Sequence, residues 1–313
     1  MCTAISYTPN RHYFGRNLDL ERGYGEEIVI TPRNFTLHFR KVEPQDRHFA
    51  MIGAAAIVND FPLYFEATNE KGLSMAGLNF PQNAHYYDYA EGKENVAPFE
   101  LIPYLLGSCE NVKSARRLLE NVNVINLSFS EELPVSPLHW LIADKTGSIV
   151  LECTEAGMKI YDNPFGVLTN NPTFDFHLTN INNYMHLHEG AAENRLSSAS
   201  LSNYSLGMGA IGLPGDFSSA SRFVKAVFVK EKSRCGEDEK SAVNQFFHIL
   251  QSVAMPRGCV MIPSGEYEYT RYSSCCTDEG VYYCTTYESM GLQRVDMNSS
   301  DPEGSTLIRC PMA

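Results

Sequence analysis

Short β-favouring runs joined by tight turn signals flank two helical blocks, and this order most narrows the folds open to the chain. Residues 27–31, 49–58, 63–66 and 73–78 are predicted strands, separated by turn signals such as Asn59-Asp60-Phe61-Pro62 and Asn69-Glu70-Lys71-Gly72. The period then changes. Residues 98–106 and 108–119 predict two helices, with Ala115, Leu118 and Leu119 on one face. Strands return at 139–143, 148–153 and 158–161, the last two joined by a hairpin. Two further helices are expected over 218–232, striped by Phe223, Val224, Val227 and Phe228, and over 240–253, striped by Val243, Phe246, Phe247, Leu250 and Val253. Strands close the chain at 259–262, 267–275, 281–287 and 306–310. Links this short favour antiparallel sheets with helices outside over a doubly wound parallel sheet. The stretch 174–212 is irregular and rich in Asn, His and Ser, a candidate excursion or assembly surface within one domain spanning 1–313.

The 313 residues, 43% hydrophobic, provide for a large core. A net charge of −12 argues against nucleic acid or an anionic membrane as partner. No apolar run reaches roughly 18 residues, so no transmembrane helix is expected. The N-terminus shows no charged region followed by an apolar one, which predicts a cytoplasmic protein. The nine cysteines include no Cys-x-x-Cys pair, and reduced structural thiols are expected for all but Cys2. The sequons at Asn34, Asn126, Asn203 and Asn298 carry little meaning without secretion.

Chemistry is signalled first by Met1-Cys2-Thr3. Removal of Met1 would leave Cys2 with a thiol and a free α-amine, whose reference pKa of about 8 lets it act as a base near neutrality. One residue would then supply nucleophile and base together. Four polar segments stand out beside it. They are Tyr13-Phe14-Gly15-Arg16-Asn17-Leu18-Asp19, Ala76-Gly77-Leu78-Asn79-Phe80-Pro81, Val167-Leu168-Thr169-Asn170-Asn171-Pro172 and Ser219-Ala220-Ser221-Arg222-Phe223. Each has an ordinary reading on its own: a surface ion pair between Arg16 and Asp19, turn asparagines at strand ends, a helix-opening arginine.

Together, in order and along the whole chain, these segments resemble the choloylglycine hydrolases, the family of bile salt hydrolases and penicillin V acylases. The resemblance implies a four-layer αββα sandwich of the α+β class, the N-terminal nucleophile hydrolase fold. It implies that Cys2 is the nucleophile and that Asp19 holds its amine. Arg16 and Arg222 are implied to flank the thiol. Asn79 is implied as an oxyanion donor, and Asn170 as its partner in positioning the amine and the tetrahedral intermediate. Asn170 is preferred to Asn171 because the family pattern is Thr-Asn-x-Pro. The implied reaction is amide hydrolysis through a thioester, with no metal and no cofactor. Asn79 within Gly77-Leu78-Asn79-Phe80-Pro81 favours the bile salt branch, penicillin V acylases more often carrying Tyr there. Glycine- or taurine-conjugated bile salts are then the expected substrates. Leu18, Leu20, Tyr24, Phe61, Phe65 and Leu133, placed on loops near these segments, are candidates for an apolar steroid slot. The family often forms tetramers, which implies a homo-oligomer. A penicillin V or other N-acyl amidohydrolase and a non-catalytic lipid-binding relative that retains Met1 stay open as alternatives.

Three other patterns are set aside. Gly207-Met208-Gly209-Ala210-Ile211-Gly212 matches the dinucleotide fingerprint but has no strand before it and Pro214 after it. His177, His186 and His188 lack a carboxylate or Cys at a metal-site spacing. Glu237-Asp238-Glu239 reads as a solvated turn suited to a helix start.

Overall fold

The strand-and-turn pattern closes into two large antiparallel sheets in the computed structural model, which describes residues 1–312. The first half supplies β1 (Cys2–Tyr7), β2 (Tyr13–Leu20), β3 (Glu27–Thr31), β4 (Met51–Val58), β5 (Phe61–Asn69), β6 (Ser74–Asn79) and β7 (Glu94–Val96). Helices α1 (Leu101–Ser108) and α2 (Val112–Leu119) follow, then β8 (Val122–Val124). The second half opens with β9 (Leu138–Asp144), β10 (Gly147–Thr154), β11 (Gly157–Asp162), β12 (Val167–Leu168) and α3 (Phe174–Asn180). It continues with α4 (Ser219–Lys232), α5 (Glu239–Gln251), β13 (Val260–Met261), β14 (Tyr267–Thr277), β15 (Val281–Thr286), β16 (Gln293–Asp296) and β17 (Ile308–Pro311).

The first sheet has the order β12-β1-β2-β14-β15-β16, with β13 paired to β14; the second runs β11-β10-β9-β6-β5-β4-β3-β17. Apolar stripes decide the layering. Phe223, Val227, Val243, Phe246 and Leu250 bring α4 and α5 onto the outer face of the first sheet. Leu101, Leu105, Ala115 and Leu119 bring α1 and α2 onto the outer face of the second. The inner faces of β1, β2 and β14 meet β5, β6 and β9, giving the four-layer αββα sandwich of the α+β class. The helix starts are set by caps: Asn111 makes a capping box with Ser114, and Asp238 accepts from Ser241 N at 2.9 Å to open α5.

Three readings change. The segment 13–19, a polar segment in the sequence, is β2 itself, a central strand buried on both faces. Gly15 permits this: a Cβ there would lie 2.0 Å from the carbonyl oxygen of Ser274 on β14. Residues 174–212 are not irregular throughout, since they open with α3, whose Phe174 and His177 are buried. A short parallel pair, β7 with β8, was outside the expected all-antiparallel pairing. Among the described residues no helix is long and apolar enough to cross a membrane.

Candidate active site

The register of two strands places the first groups. Cys2 pairs with Leu18 and Ala4 with Arg16, so the side chains of Cys2 and Arg16 leave β1 and β2 on the same face. That face looks toward the second sheet, because Arg16 Nη1 donates to the carbonyls of Phe65 at 3.0 Å and Gly77 at 2.6 Å. Thr3 and Asn17 point the other way, toward the helices: Arg222 Nη1 on α4 donates to Thr3 Oγ1 at 2.7 Å, and Asn17 Nδ2 donates to Leu250 O on α5 at 2.9 Å. Cys2 therefore has one arginine on each side of its strand. Both guanidiniums are 1% exposed, a burial that charged side chains accept only when paired.

Asn170, just beyond β12, joins these parts. Its Oδ1 accepts from Cys2 N at 2.8 Å and from Arg222 Nη2 at 2.7 Å. Its Nδ2 donates to Asn79 O at 2.7 Å. Its backbone is fixed as well, the N–H donating to Ser219 Oγ at 2.8 Å and the carbonyl meeting His177 Nε2 at 3.0 Å. Ser219 opens α4, so one helix start supplies both the clamp on Asn170 and, one turn on, Arg222. Arg222 also donates to Cys2 O at 2.6 Å. Behind Thr169, His139 contacts Glu152 at 3.1 Å and Thr169 O at 3.0 Å, and its ring stacks on Phe80.

Asp19 ends the set. A register shift in β14 between Thr270 and Tyr272 turns Thr270 toward it, and Thr270 Oγ1 donates to Asp19 Oδ1 at 2.6 Å. Asp19 Oδ2 is buried with no hydrogen-bond partner among the described residues. Burial raises the proton affinity of Asp19, opposed by Arg222, the N-terminal ammonium, Thr270 and Arg16. The Met1 ammonium donates to Asp19 O and to Glu268 Oε1, both at 2.8 Å. Burial lowers the pKa of Arg222 while Asp19, Cys2 and Glu268 act to raise it. For Arg16 burial also opposes the charge, but the influence of Cys2, Tyr272 and Glu66 prevails and the pKa is raised.

The structure thus brings together Cys2, Arg16, Asp19, Asn170 and Arg222, with Asn79 joined through its backbone carbonyl. Asn79 makes no side-chain hydrogen bond among the described residues. Asn171 reaches away, donating to Pro81 O. The six candidate lining residues are not all on loops: Leu18 and Leu20 belong to β2, and Phe61 and Phe65 to β5. Leu18 is 2% exposed and part of the core beside Cys2. Phe65, whose carbonyl holds Arg16, lies 6.3 Å from Tyr24 between ring centroids. Phe61 packs instead with Phe99 and Phe129, and Leu133 is half-buried. No group of His, Cys, Asp or Glu among the described residues could hold a metal ion. His177 is a buried hydrogen-bonding residue whose pKa burial lowers to about 4.

Sequence reasoning missed Glu66, Ser219, Thr270, Glu268, His139 and Glu152. Glu66 closes the strand expected at 63–66, and a charge inside a buried strand was the available signal. Two clefts, of about 490 and 680 Å³, lie at the opposite end of the sandwich, where the β1–β2, β5–β6, β9–β10 and β14–β15 turns gather. Neither is lined by the groups around Cys2.

A sandwich of this kind, with a cysteine at the second position of the chain opening its first strand, is the architecture of an N-terminal nucleophile amidohydrolase. The chain matches the linear amide C–N hydrolases, choloylglycine hydrolase family, over residues 2–309, and it belongs to that family. It is 51% identical to a bile salt hydrolase/transferase from Lactiplantibacillus plantarum, covering 100% of this chain and 97% of the relative. Identity to a bile salt hydrolase/transferase from Clostridium perfringens is 37%, over 98% and 95%. A crystal structure of a variant conjugated bile acid hydrolase from Clostridium perfringens aligns with a TM-score of 0.91 at 35% identity, covering 100% of this chain and 97% of that one. Penicillin V acylase from Agrobacterium tumefaciens aligns with a TM-score of 0.78 over 98% and 90%, and at 19% identity the likeness is one of fold.

Proposed function

We propose that this chain, after loss of Met1, hydrolyses the amide bond of glycine- or taurine-conjugated bile salts with Cys2 as nucleophile. The observation that carries the reading is the clamp on the Cys2 nitrogen, where Asn170 Oδ1 accepts at 2.8 Å while bonded to Arg222. Freed of Met1, that nitrogen is a primary amine held beside its own thiol. The Cys2 thiolate, with Arg16 and Arg222 on either side of its strand, attacks the amide carbonyl. The Asn79 side-chain amide, together with the Asn170 Nδ2 proton not given to Asn79 O, faces the developing oxyanion. The C–N bond breaks as the leaving amine takes a proton from the Cys2 ammonium, and a thioester remains. Water then adds, its proton passing to the Cys2 amine, and the C–S bond breaks to release the bile acid. The relatives' names favour a second outcome at the same thioester: an amino acid amine replacing water would give transfer.

The full described chain is proposed to work as one domain, in the cytoplasm and as a homotetramer. The exposed Met185, Leu196, Tyr204 and Leu206 of the 174–212 excursion support a self-association surface. Substrate contact is proposed for Leu20, Tyr24 and Phe65, which lie on the Arg16 side of Cys2. The test is kcat/KM for glycocholate, taurocholate and penicillin V on one preparation. The reading expects the two bile salts to exceed penicillin V by at least about tenfold, a pocket-scale discrimination. Preference for penicillin V would keep the nucleophile and overturn the substrate.

A further inference from the structure

Between the sheets, beside Arg16, lies a buried carboxylate that the reaction scheme does not use. Glu66 on β5 is 2% exposed, and three hydroxyls converge on it from the first sheet. Tyr272 Oη donates to Oε2 at 2.7 Å; Ser274 Oγ and Tyr282 Oη donate to Oε1 at 2.9 and 2.6 Å. The remaining neighbour is Arg16, whose Nε stands 3.9 Å from Oε2 and has no hydrogen-bond partner of its own. Burial pushes the proton affinity of Glu66 up, while Arg16 and the three hydroxyls pull it down. Burial prevails and leaves the pKa raised, yet the donor arrangement favours the charged form. Each of the three hydroxyls directs its proton at a carboxylate oxygen, and the fourth neighbour, the Arg16 guanidinium, can only donate. As a carboxylate Glu66 accepts from all three hydroxyls and faces the Arg16 charge.

Arg16 is thus held by two carbonyls at Nη1 and faces an anion at Nε, on the same strand face as Cys2. We propose that Glu66 is the counter-ion of Arg16, a positioning residue that aims the guanidinium and sets how much positive charge reaches the Cys2 thiol. The proposal rests on Cys2 being the nucleophile. The other charged group facing Cys2 is Arg222 on α4, itself under the influence of Asp19 on β2 and Glu268 on β14. The groups facing Glu66 besides its donors are the thiols of Cys276 on β14 and Cys284 on β15, both pushed up to about 12 chiefly by burial and hence neutral at physiological pH.

The experiment follows iodoacetamide alkylation of Cys2 against pH in the processed protein, read on the N-terminal peptide by mass spectrometry. Glu66→Gln keeps the size and an acceptor oxygen but removes the charge. Its alkylation midpoint is expected about one pH unit below that of the native protein, with the acid limb of kcat/KM moving the same way and KM little changed. Tyr282→Phe removes one donor, makes the carboxylate easier to protonate and is expected to produce a smaller shift of the same sign. It serves alone should Glu66→Gln fail to fold. An unmoved midpoint, or one displaced to higher pH, overturns the proposal. Because alkylation needs no bile salt, failure of the substrate reading would appear separately, as absent turnover with the alkylation shift intact.

Discussion

At the scale of single residues, Asn170 does more than any other side chain to assemble the site. It binds the Cys2 nitrogen and Arg222 through one atom and Asn79 through another. Asn170→Ala is expected to lower kcat by about 10²–10³-fold, the usual loss when a preorganised amide is removed, with binding of intact substrate less affected. Asn79→Ala should reduce kcat by a similar factor and KM little, since an oxyanion donor acts in the transition state. Equal losses in kcat and in ground-state binding, from steady-state kinetics on both variants, would contradict these roles. The sequence made the individual side chains legible because the segments around Cys2, Arg16, Asp19, Asn79, Asn170 and Arg222 resemble a family pattern. It did not reveal what holds them. Ser219, Thr270 and Glu66 look like ordinary strand and helix polar residues until register and crossing geometry bring them within hydrogen-bond distance.

At the scale of elements, two local devices build the site. The first is the start of α4, where Ser219 Oγ receives the Asn170 N–H at 2.8 Å and meets Thr169 Oγ1 at 2.9 Å. Ser219→Ala leaves a buried donor unpaired, and a stability loss of about 1–3 kcal/mol is expected by urea unfolding together with reduced kcat. The second is the close packing of β2 on β14. Gly15→Ala would drive a methyl into the Ser274 carbonyl, and a clear fall in melting temperature is expected. Native-like melting would mean that the strands can separate without cost. Most strands and the helices α1, α2, α4 and α5 were readable from period and turn residues, to within a few positions. β2 was not, because hydropathy cannot distinguish a buried strand carrying Arg16, Asn17 and Asp19 from a polar loop. Nor was α3, whose short amphipathic turn is embedded in an Asn- and His-rich stretch.

At the scale of the whole molecule, the two sheets concentrate polar chemistry in an otherwise apolar interior, and acid should expose the cost. His12 and His177 are buried, and burial lowers the pKa of each to about 4. The unfolded chain protonates both near pH 6.5, so below that value it binds more protons than the folded protein. Stability is then complete above about 6.5 and falls as pH drops toward 4, by up to about 1.4 kcal/mol per pH unit for each histidine. Urea midpoints measured across this range should show the decline, and His12→Gln should flatten it. A variant as pH-sensitive as the native protein would remove His12 from the account.

The central claim is that the Cys2 thiol, freed of Met1, carries the acyl group. The most direct measurement is intact mass and N-terminal peptide mapping after acid quench of the enzyme mixed with glycocholate. The account expects a chain lacking Met1 with one cholyl group on the Cys2 peptide, absent from Cys2→Ser. Turnover by a chain that retains Met1, or a cholyl group bound elsewhere, would contradict it.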